Sequence, residues 1–173
     1  MYQVIFSHGK ESGPWGTKIQ RLAATAQALG FAVDSIDYSD SMDPDVRVQR
    51  LQQHLQGHDL SKVILVGSSM GGYVTLQAAK HHKVLGVFVL APAIFMPGYE
   101  DKAPTARLDN LTVVHGWHDD IIPVEHSIRF AQAQSCALHL VDDDHRLITS
   151  LDAIDGWFRN YLEQLNNPLQ NPT

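Results

Sequence analysis

The sequence predicts a doubly wound, three-layer α/β domain: a mostly or wholly parallel sheet of about six strands with helices on both faces. Three observations predict it. Short apolar runs rich in Val and Ile recur along the chain. Stretches with helical apolar periodicity fill the intervals between them. The runs lack strict alternation, as strands buried on both faces do.

The elements follow in order. Tyr2–Phe6 is the first apolar run. Ile19, Leu22, Ala23, Ala26 and Leu29 fall on one helical face, and Gly30 suits the C-terminal cap. Ala32–Ile36 reads as the second strand. Asp43-Pro44 opens the next helix, with Asp as N-cap and Pro at the first position. Val48, Leu51 and Leu55 give that helix an apolar stripe. Val63–Val66 is a strand, and a helix starts at Met70. Val84–Leu90 is another strand. The stretch Ala91 to Asp109 holds Pro92, Pro97, Gly98 and Pro104, which argue against a long helix there. Leu111–His115 is a strand, followed by a helix after Pro123 with Ile128 and Ala131 inward. Ala137–Val141 is the sixth strand. A final helix from about Thr149 to Leu165 turns Leu151, Ile154, Phe158, Tyr161 and Leu165 to the core. One domain therefore spans residues 1–165, and residues 166–173 have little to bury and are expected to fray.

Composition narrows the function. A chain of 173 residues buries a substantial core in one domain. With 44% apolar and 18% charged residues it is an ordinary globular chain. The net charge is −6 and the basic residues are scattered, so no nucleic-acid partner is expected. The single cysteine, Cys136, forms no internal disulfide, and its strand-like surroundings favour a buried inert thiol over a nucleophile. No run reaches membrane-spanning length and the N-terminus lacks a leader pattern. A cytoplasmic location without membrane contact is the default. No exposed apolar helix face stands out, so the oligomeric state stays open.

The chemistry sits in three segments. Gly67-Ser68-Ser69-Met70-Gly71 has the G-x-S-x-G spacing of a nucleophile elbow, placed between a buried strand and a helix. Small residues on each side leave room for a strained turn that exposes the Ser69 hydroxyl. Gly72 lets the helix pack close to the sheet. Neither this segment nor Gly9-Lys10-Glu11-Ser12-Gly13 has the spacing of a dinucleotide or phosphate loop. The other two segments are Ser7-His8-Gly9-Lys10 and His115-Gly116-Trp117-His118-Asp119-Asp120-Ile121-Ile122-Pro123.

These segments together resemble the α/β-hydrolase superfamily over nearly the full chain, in a compact form without the first strands or a large cap. The small esterase and thioesterase branches are the nearest likeness. The third segment is similar to the family's H-G-x-x-D-x-x-V-P pattern, with Ile122 in place of Val. His145 follows the sixth strand, where the family places its catalytic histidine. The resemblance implies Ser69 as nucleophile, His145 as general base and Asp119 as orienting acid, in the chain order of this fold. Asp120 lies beside the acid position and reads as a solvated or capping carboxylate. The oxyanion hole is expected from the Met70 N–H and the Lys10 N–H. Loss of one such donor costs about 2.7–4 kcal/mol of transition-state stabilisation.

Other residues carry weaker expectations. Trp15, Phe95, Met96, Tyr99 and Trp117 fall on loops at the carboxyl ends of strands, where ligands bind in such sheets. Trp15, Phe95, Met96 and Trp117 are the candidate substrate contacts; ordinary loop-anchoring is the alternative. His8 is expected to order the oxyanion loop. Asp142, Asp143 and Asp144 run into His145; they either favour its charged form, giving a rate that rises on the alkaline side of neutral, or form a solvated turn that points away. Of ten histidines, His54, His58, His81 and His82 read as surface residues. His115 and His118 help shape the site, or join Asp119 or Asp120 in a metal cluster.

The expected partner is a small ester or thioester, and the chemistry requires no cofactor or metal. The short Ala91 to Asp109 segment leaves little room for a lid, which favours short or solvent-exposed acyl groups. A non-enzymic binding module on the same fold is the other class of function.

Overall fold

A computed structural model describes residues 1–167 of the chain. The strands are β1 (Gln3–Ser7), β2 (Ala32–Ile36), β3 (Val63–Ser68), β4 (Gly86–Leu90), β5 (Leu111–Gly116) and β6 (Ala137–Val141). The helices are α1 (Thr17–Ala28), α2 (Pro44–Leu55), α3 (Met70–His81), α4 (Val124–Gln134) and α5 (Leu151–Asn166). All six strands join one sheet in the order β2-β1-β3-β4-β5-β6, and every neighbouring pair is parallel.

Alternate strand residues feed two cores. Ile5, Leu65, Val87, Val89 and Val113 face α2, α3 and α4. Val4, Phe6, Ile64, Val66, Phe88, Leu90 and Val114 face α1 and α5. The four inner strands are buried almost throughout, while the edge strands β2 and β6 are mostly half-buried. This is the continuous-run pattern of a covered parallel sheet.

Local signals act as their chemistry requires. Asp43 caps α2 by accepting from the Asp45 and Val46 N–H groups. Gly30, at φ +86°, closes α1: its N–H donates to Gln27 O at 3.0 Å and that of Phe31 to Ala26 O at 3.0 Å. This paired reversal is the Schellman stop.

Several boundaries and faces differ from expectation. β4 starts at Gly86, because the Leu85 N–H is spent on Leu60 O and Val63 O in the entering turn. A Cβ at Gly86 would overlap the Tyr161 hydroxyl. In α5 the core stripe is Leu151, Ile154, Phe158, Leu162 and Leu165. Tyr161 lies beside it, half-buried, with its hydroxyl donating to Asn110 O at 2.7 Å. In α4 the buried face is Val124, Ser127, Phe130, Ala131 and Gln134, and Ile128 is only half-buried. Ser127 and Gln134 turn inward because each finds a polar partner there. The last helix runs one residue past its expected end, to Asn166. Of the tail expected to fray, residues 168–173 lie outside the described residues.

The strand order reverses between β1 and β3, the switch point where a parallel sheet opens a crevice. The loop after β1 and the turn after β3 therefore meet at the carboxyl edge of the sheet.

Candidate active site

Ser69 occupies the tight turn from β3 into α3 with φ 55° and ψ −118°. A side chain tolerates that conformation only under constraint. The constraint is backbone: the Ser69 N–H donates to Leu90 O at 2.9 Å, and Ser69 O accepts from the Ala93 N–H at 2.9 Å. A Cβ at Gly67 would overlap the Gly71 carbonyl, and one at Gly71 would overlap the Ser7 carbonyl. Gly72 is needed for a contact other than the expected one with the sheet. Its Cβ would stand 2.9 Å from Pro92, in the loop after β4.

The structure brings Ser69, His145 and Asp119 together. His145 Nε2 is 3.0 Å from Ser69 Oγ. His145 Nδ1 is 2.7 Å from Asp119 Oδ2. The other carboxylate oxygen of Asp119 accepts the Ile121 and Ile122 N–H groups, both at 2.8 Å. His115 Nε2 is 3.0 Å from Asp119 Oδ2 as well. Burial pushes the fully enclosed Asp119 carboxyl up. The donors from His115, His145 and the two backbone N–H groups outweigh that and hold it well below the usual carboxylate range. Asp120 is exposed, and no side-chain partner for it is found among the described residues.

The loops carrying Asp119 and His145 are laced together. The Trp117 N–H donates to Val141 O at 2.9 Å and the His118 N–H to Asp143 O at 3.0 Å. A Cβ at Gly116 would overlap that Asp143 carbonyl. Lys18 Nζ donates to Arg146 O at 2.9 Å, tying α1 to the residue after His145. Burial, then the neighbouring Arg146 charge, lowers the Lys18 pKa. Leu147 is fully buried at φ +60° and anchors the same loop.

The three acids before His145 have separate partners. Asp142 pairs with exposed His118 at 2.7 Å. Asp143 accepts from the Asp144 N–H at 2.7 Å and the Ser150 N–H at 2.8 Å, at the entry to α5. Asp144 accepts from the Arg146 N–H at 2.9 Å. None bonds to His145 among the described residues; Asp142 and Asp144 are exposed, as in a solvated turn, while Asp143 is buried against the entry to α5.

Met70 follows Ser69 in the chain, and the loop that carries Lys10 approaches the serine through Gly9. The Met70 N–H opens α3 and so has no acceptor within the helix. A Cβ at Gly9 would be 3.7 Å from Ser69 Cβ, so the Gly9-Lys10 loop rests on the serine. His8 is buried, with Nδ1 2.8 Å from Gly9 O and Nε2 accepting the Tyr38 N–H at 2.9 Å. Burial lowers the His8 pKa. Its tautomer follows: the proton is on Nδ1. Tyr38 hydrogen-bonds Ser7 Oγ at 2.9 Å, and burial pushes its hydroxyl up to about 12. Arg47, which helical patterning assigned no role, is fully buried beside these residues.

The aromatic candidates divide. Trp15 and Trp117 are 46% and 51% exposed. Phe95 and Met96 are half-buried against the α2–α4 core, with the Arg129 guanidinium 4.1 Å from the Phe95 ring centre. Tyr99 packs against Tyr73 at 4.8 Å. A surface cavity of about 370 Å³, bordered by Lys80, Val84, Arg107 and Asp109, lies at the amino ends of β4 and β5, away from Ser69. Burial pushes the half-buried Cys136 thiol up to about 11, where it is a poor nucleophile at neutral pH. No group of three or more His, Cys, Asp or Glu side chains is arranged for a metal among the described residues. No helix among them is long and apolar enough to cross a membrane.

Comparison with known proteins places the fold. An α/β-superfamily protein from Xanthomonas campestris pv. campestris shares 31% identity, with TM-score 0.85, over 95% of this chain and 99% of that one. Est1E from Butyrivibrio proteoclasticus shares 17% identity at TM-score 0.79, over 95% of this chain and 88% of that one. Mouse alpha/beta hydrolase domain-containing protein 10 shares 18% at TM-score 0.76, over 94% and 90%. These last two show likeness of fold alone. A search of curated proteins gives no match. The sequence model of the alpha/beta hydrolase family matches residues 4–170. The chain belongs to the alpha/beta hydrolase family.

Proposed function

We propose that the protein is a serine hydrolase that cleaves a carboxylic ester or thioester through an acyl-enzyme on Ser69. The observation that carries the reading is the hydrogen-bond chain Asp119–His145–Ser69, at 2.7 and 3.0 Å. Asp119 takes the Nδ1 proton of His145 as a hydrogen bond and leaves the Nε2 lone pair facing Ser69 Oγ. His145 removes the hydroxyl proton as Oγ attacks the substrate carbonyl. The Met70 and Lys10 N–H groups hold the oxyanion. Collapse of the tetrahedral species expels the alcohol or thiol, which receives the proton from His145. Water then repeats the cycle on the acyl-enzyme and releases a carboxylic acid. No cofactor or metal enters these steps.

Trp15 and Trp117 stand on loops at the carboxyl edge and contact the apolar part of the substrate, with Phe95 and Met96 behind them. Est1E is known with ferulic acid bound; a carboxylic acid is also what the proposed reaction would release here. The short segment after β4 leaves little room for a lid, which suits short or exposed acyl groups. The substrate is a small molecule, and neither nucleic acid nor membrane takes part.

Labelling with a fluorophosphonate probe tests the reading. Wild type is expected to label and Ser69→Ala is not, with ester turnover lost by about 10⁴-fold or more. Folded wild type that neither labels nor cleaves any p-nitrophenyl or thioester acyl chain would sink it. High activity on emulsified long-chain triglycerides would sink the short-acyl part alone.

A further inference from the structure

Arg47 has no exposed surface, and no carboxylate lies within ion-pair distance of it among the described residues. A guanidinium in such a place is costly unless its donors are used. They are used on backbone. Nε donates to Ser41 O at 2.7 Å, Nη1 to Gly9 O at 3.0 Å and His8 O at 3.3 Å, and Nη2 to Lys10 O at 3.1 Å. Its Cζ also lies 5.4 Å from the Tyr38 ring centre. Three of these four acceptors are successive carbonyls of the loop after β1.

The consequence lies in the peptide plane. In a trans peptide the C=O of one residue and the N–H of the next point in opposite directions. Gly9 O is held by two donors, Arg47 Nη1 at 3.0 Å and His8 Nδ1 at 2.8 Å. The N–H at the other end of that plane belongs to Lys10. It faces away from Arg47 and has no hydrogen-bond partner among the described residues. The same loop lies 3.7 Å from Ser69, measured from a Cβ built on Gly9.

We propose that Arg47 is a positioning residue of the oxyanion site, fixing the Gly9–Lys10 peptide so that its N–H meets the oxyanion formed on Ser69. This rests on the reading of Ser69 as nucleophile. Lysine is no substitute, since one ammonium cannot span three carbonyls as a planar fork does. Misplacing an oxyanion donor costs about 10²-fold in rate.

The test compares wild type with Arg47→Lys, Arg47→Gln and Arg47→Met. The readouts are thermal midpoint, kcat and KM on p-nitrophenyl acetate, and inhibition by an aryl trifluoromethyl ketone, whose hemiketal mimics the oxyanion. Folded variants are expected to lose about 10²-fold in kcat with KM within about twofold. Inhibitor affinity should fall by the same factor. A folded variant with wild-type kcat, or with KM raised at unchanged kcat, overturns the proposal. If none of the variants folds, Arg47 is structural and the proposal is overturned as well. Wild type inert to substrate, inhibitor and fluorophosphonate instead overturns the reading of Ser69, and this one with it.

Discussion

His115 and His145 approach the same oxygen of Asp119, at 3.0 and 2.7 Å. His115 is fully buried, its Nδ1 2.6 Å from Ser127 Oγ and its Nε2 also 2.9 Å from Ile122 O. The proton therefore sits on Nε2, between a carbonyl and a carboxylate, and the Ser127 hydroxyl donates to Nδ1. Asp119, which faces His145, is itself held from its other side by His115. Replacing His115 by Leu leaves Asp119 Oδ2, Ile122 O and Ser127 Oγ each short of a partner. A loss of about 1–3 kcal/mol in denaturant-derived stability is expected. A variant as stable as wild type would show that water takes over these groups.

Asp119 makes stability depend on pH in a defined direction. Its folded pKa lies below its unfolded value, so the folded state holds fewer protons on it. The stabilisation is complete above the unfolded carboxylate value of about 3.9 and drains away as pH falls below it. Thermal midpoints of wild type and Asp119→Asn, measured from pH 6 down to pH 2, check this. The difference between the two proteins should shrink as the solution is acidified. A constant difference would contradict it.

The turn at Ser69 holds a conformation that glycine adopts freely. Ser69→Gly should be more stable than Ser69→Ala by roughly 1–3 kcal/mol, because alanine keeps the strain. Both remove the hydroxyl, so thermal unfolding of the pair isolates the backbone contribution. Equal midpoints would mean the turn relaxes without the side chain.

Two glycines should respond with opposite sign to the same methyl group. Gly156, inside α5, has open space where its Cβ would be. Gly156→Ala should stabilise by about 0.5–1 kcal/mol. Gly71→Ala would drive into the Ser7 carbonyl and should destabilise by about 1–3 kcal/mol or more. Urea titration of both variants decides it.

Asp143 supplies two acceptors at the entry to α5. Asp143→Ala should lose about 1–3 kcal/mol, because it leaves two part-buried N–H groups without their acceptor. Asp142→Ala removes only an exposed pair with His118 and should cost less than about 1 kcal/mol. Similar losses for both would contradict the difference in their surroundings.

The identical chemistry of neighbouring acids explains where sequence reading stopped. Nothing in the run Asp142-Asp143-Asp144 marks the middle residue as inward, since its partner Ser150 is seven positions away. Arg47 escaped for a stronger form of the same reason. Periodicity assigns a charged residue to the solvent face, and three of its four acceptors lie 37 to 39 positions back along the chain. Ser127 and Gln134 take the inner face of α4 in place of Ile128 through partners 12 and 26 positions away. The strands, by contrast, were legible from local apolar runs. The turn at Ser69 was legible because its tightness demands small residues at fixed offsets. The preference for Asp119 over Asp120 came from resemblance, and the geometry places Asp119 at His145.

The sheet order gives a last consequence, for how the protein comes to be reactive. Ser69 and the Lys10 loop emerge from neighbouring strands near the centre, but His145 follows β6, an edge strand paired only with β5. Ser69 and His145 are 76 residues apart in the chain. A chain lacking that edge would lack the imidazole that stands 3.0 Å from Ser69 Oγ. On the proposed reading of Ser69 as nucleophile, serine reactivity would report the closing of the last strand.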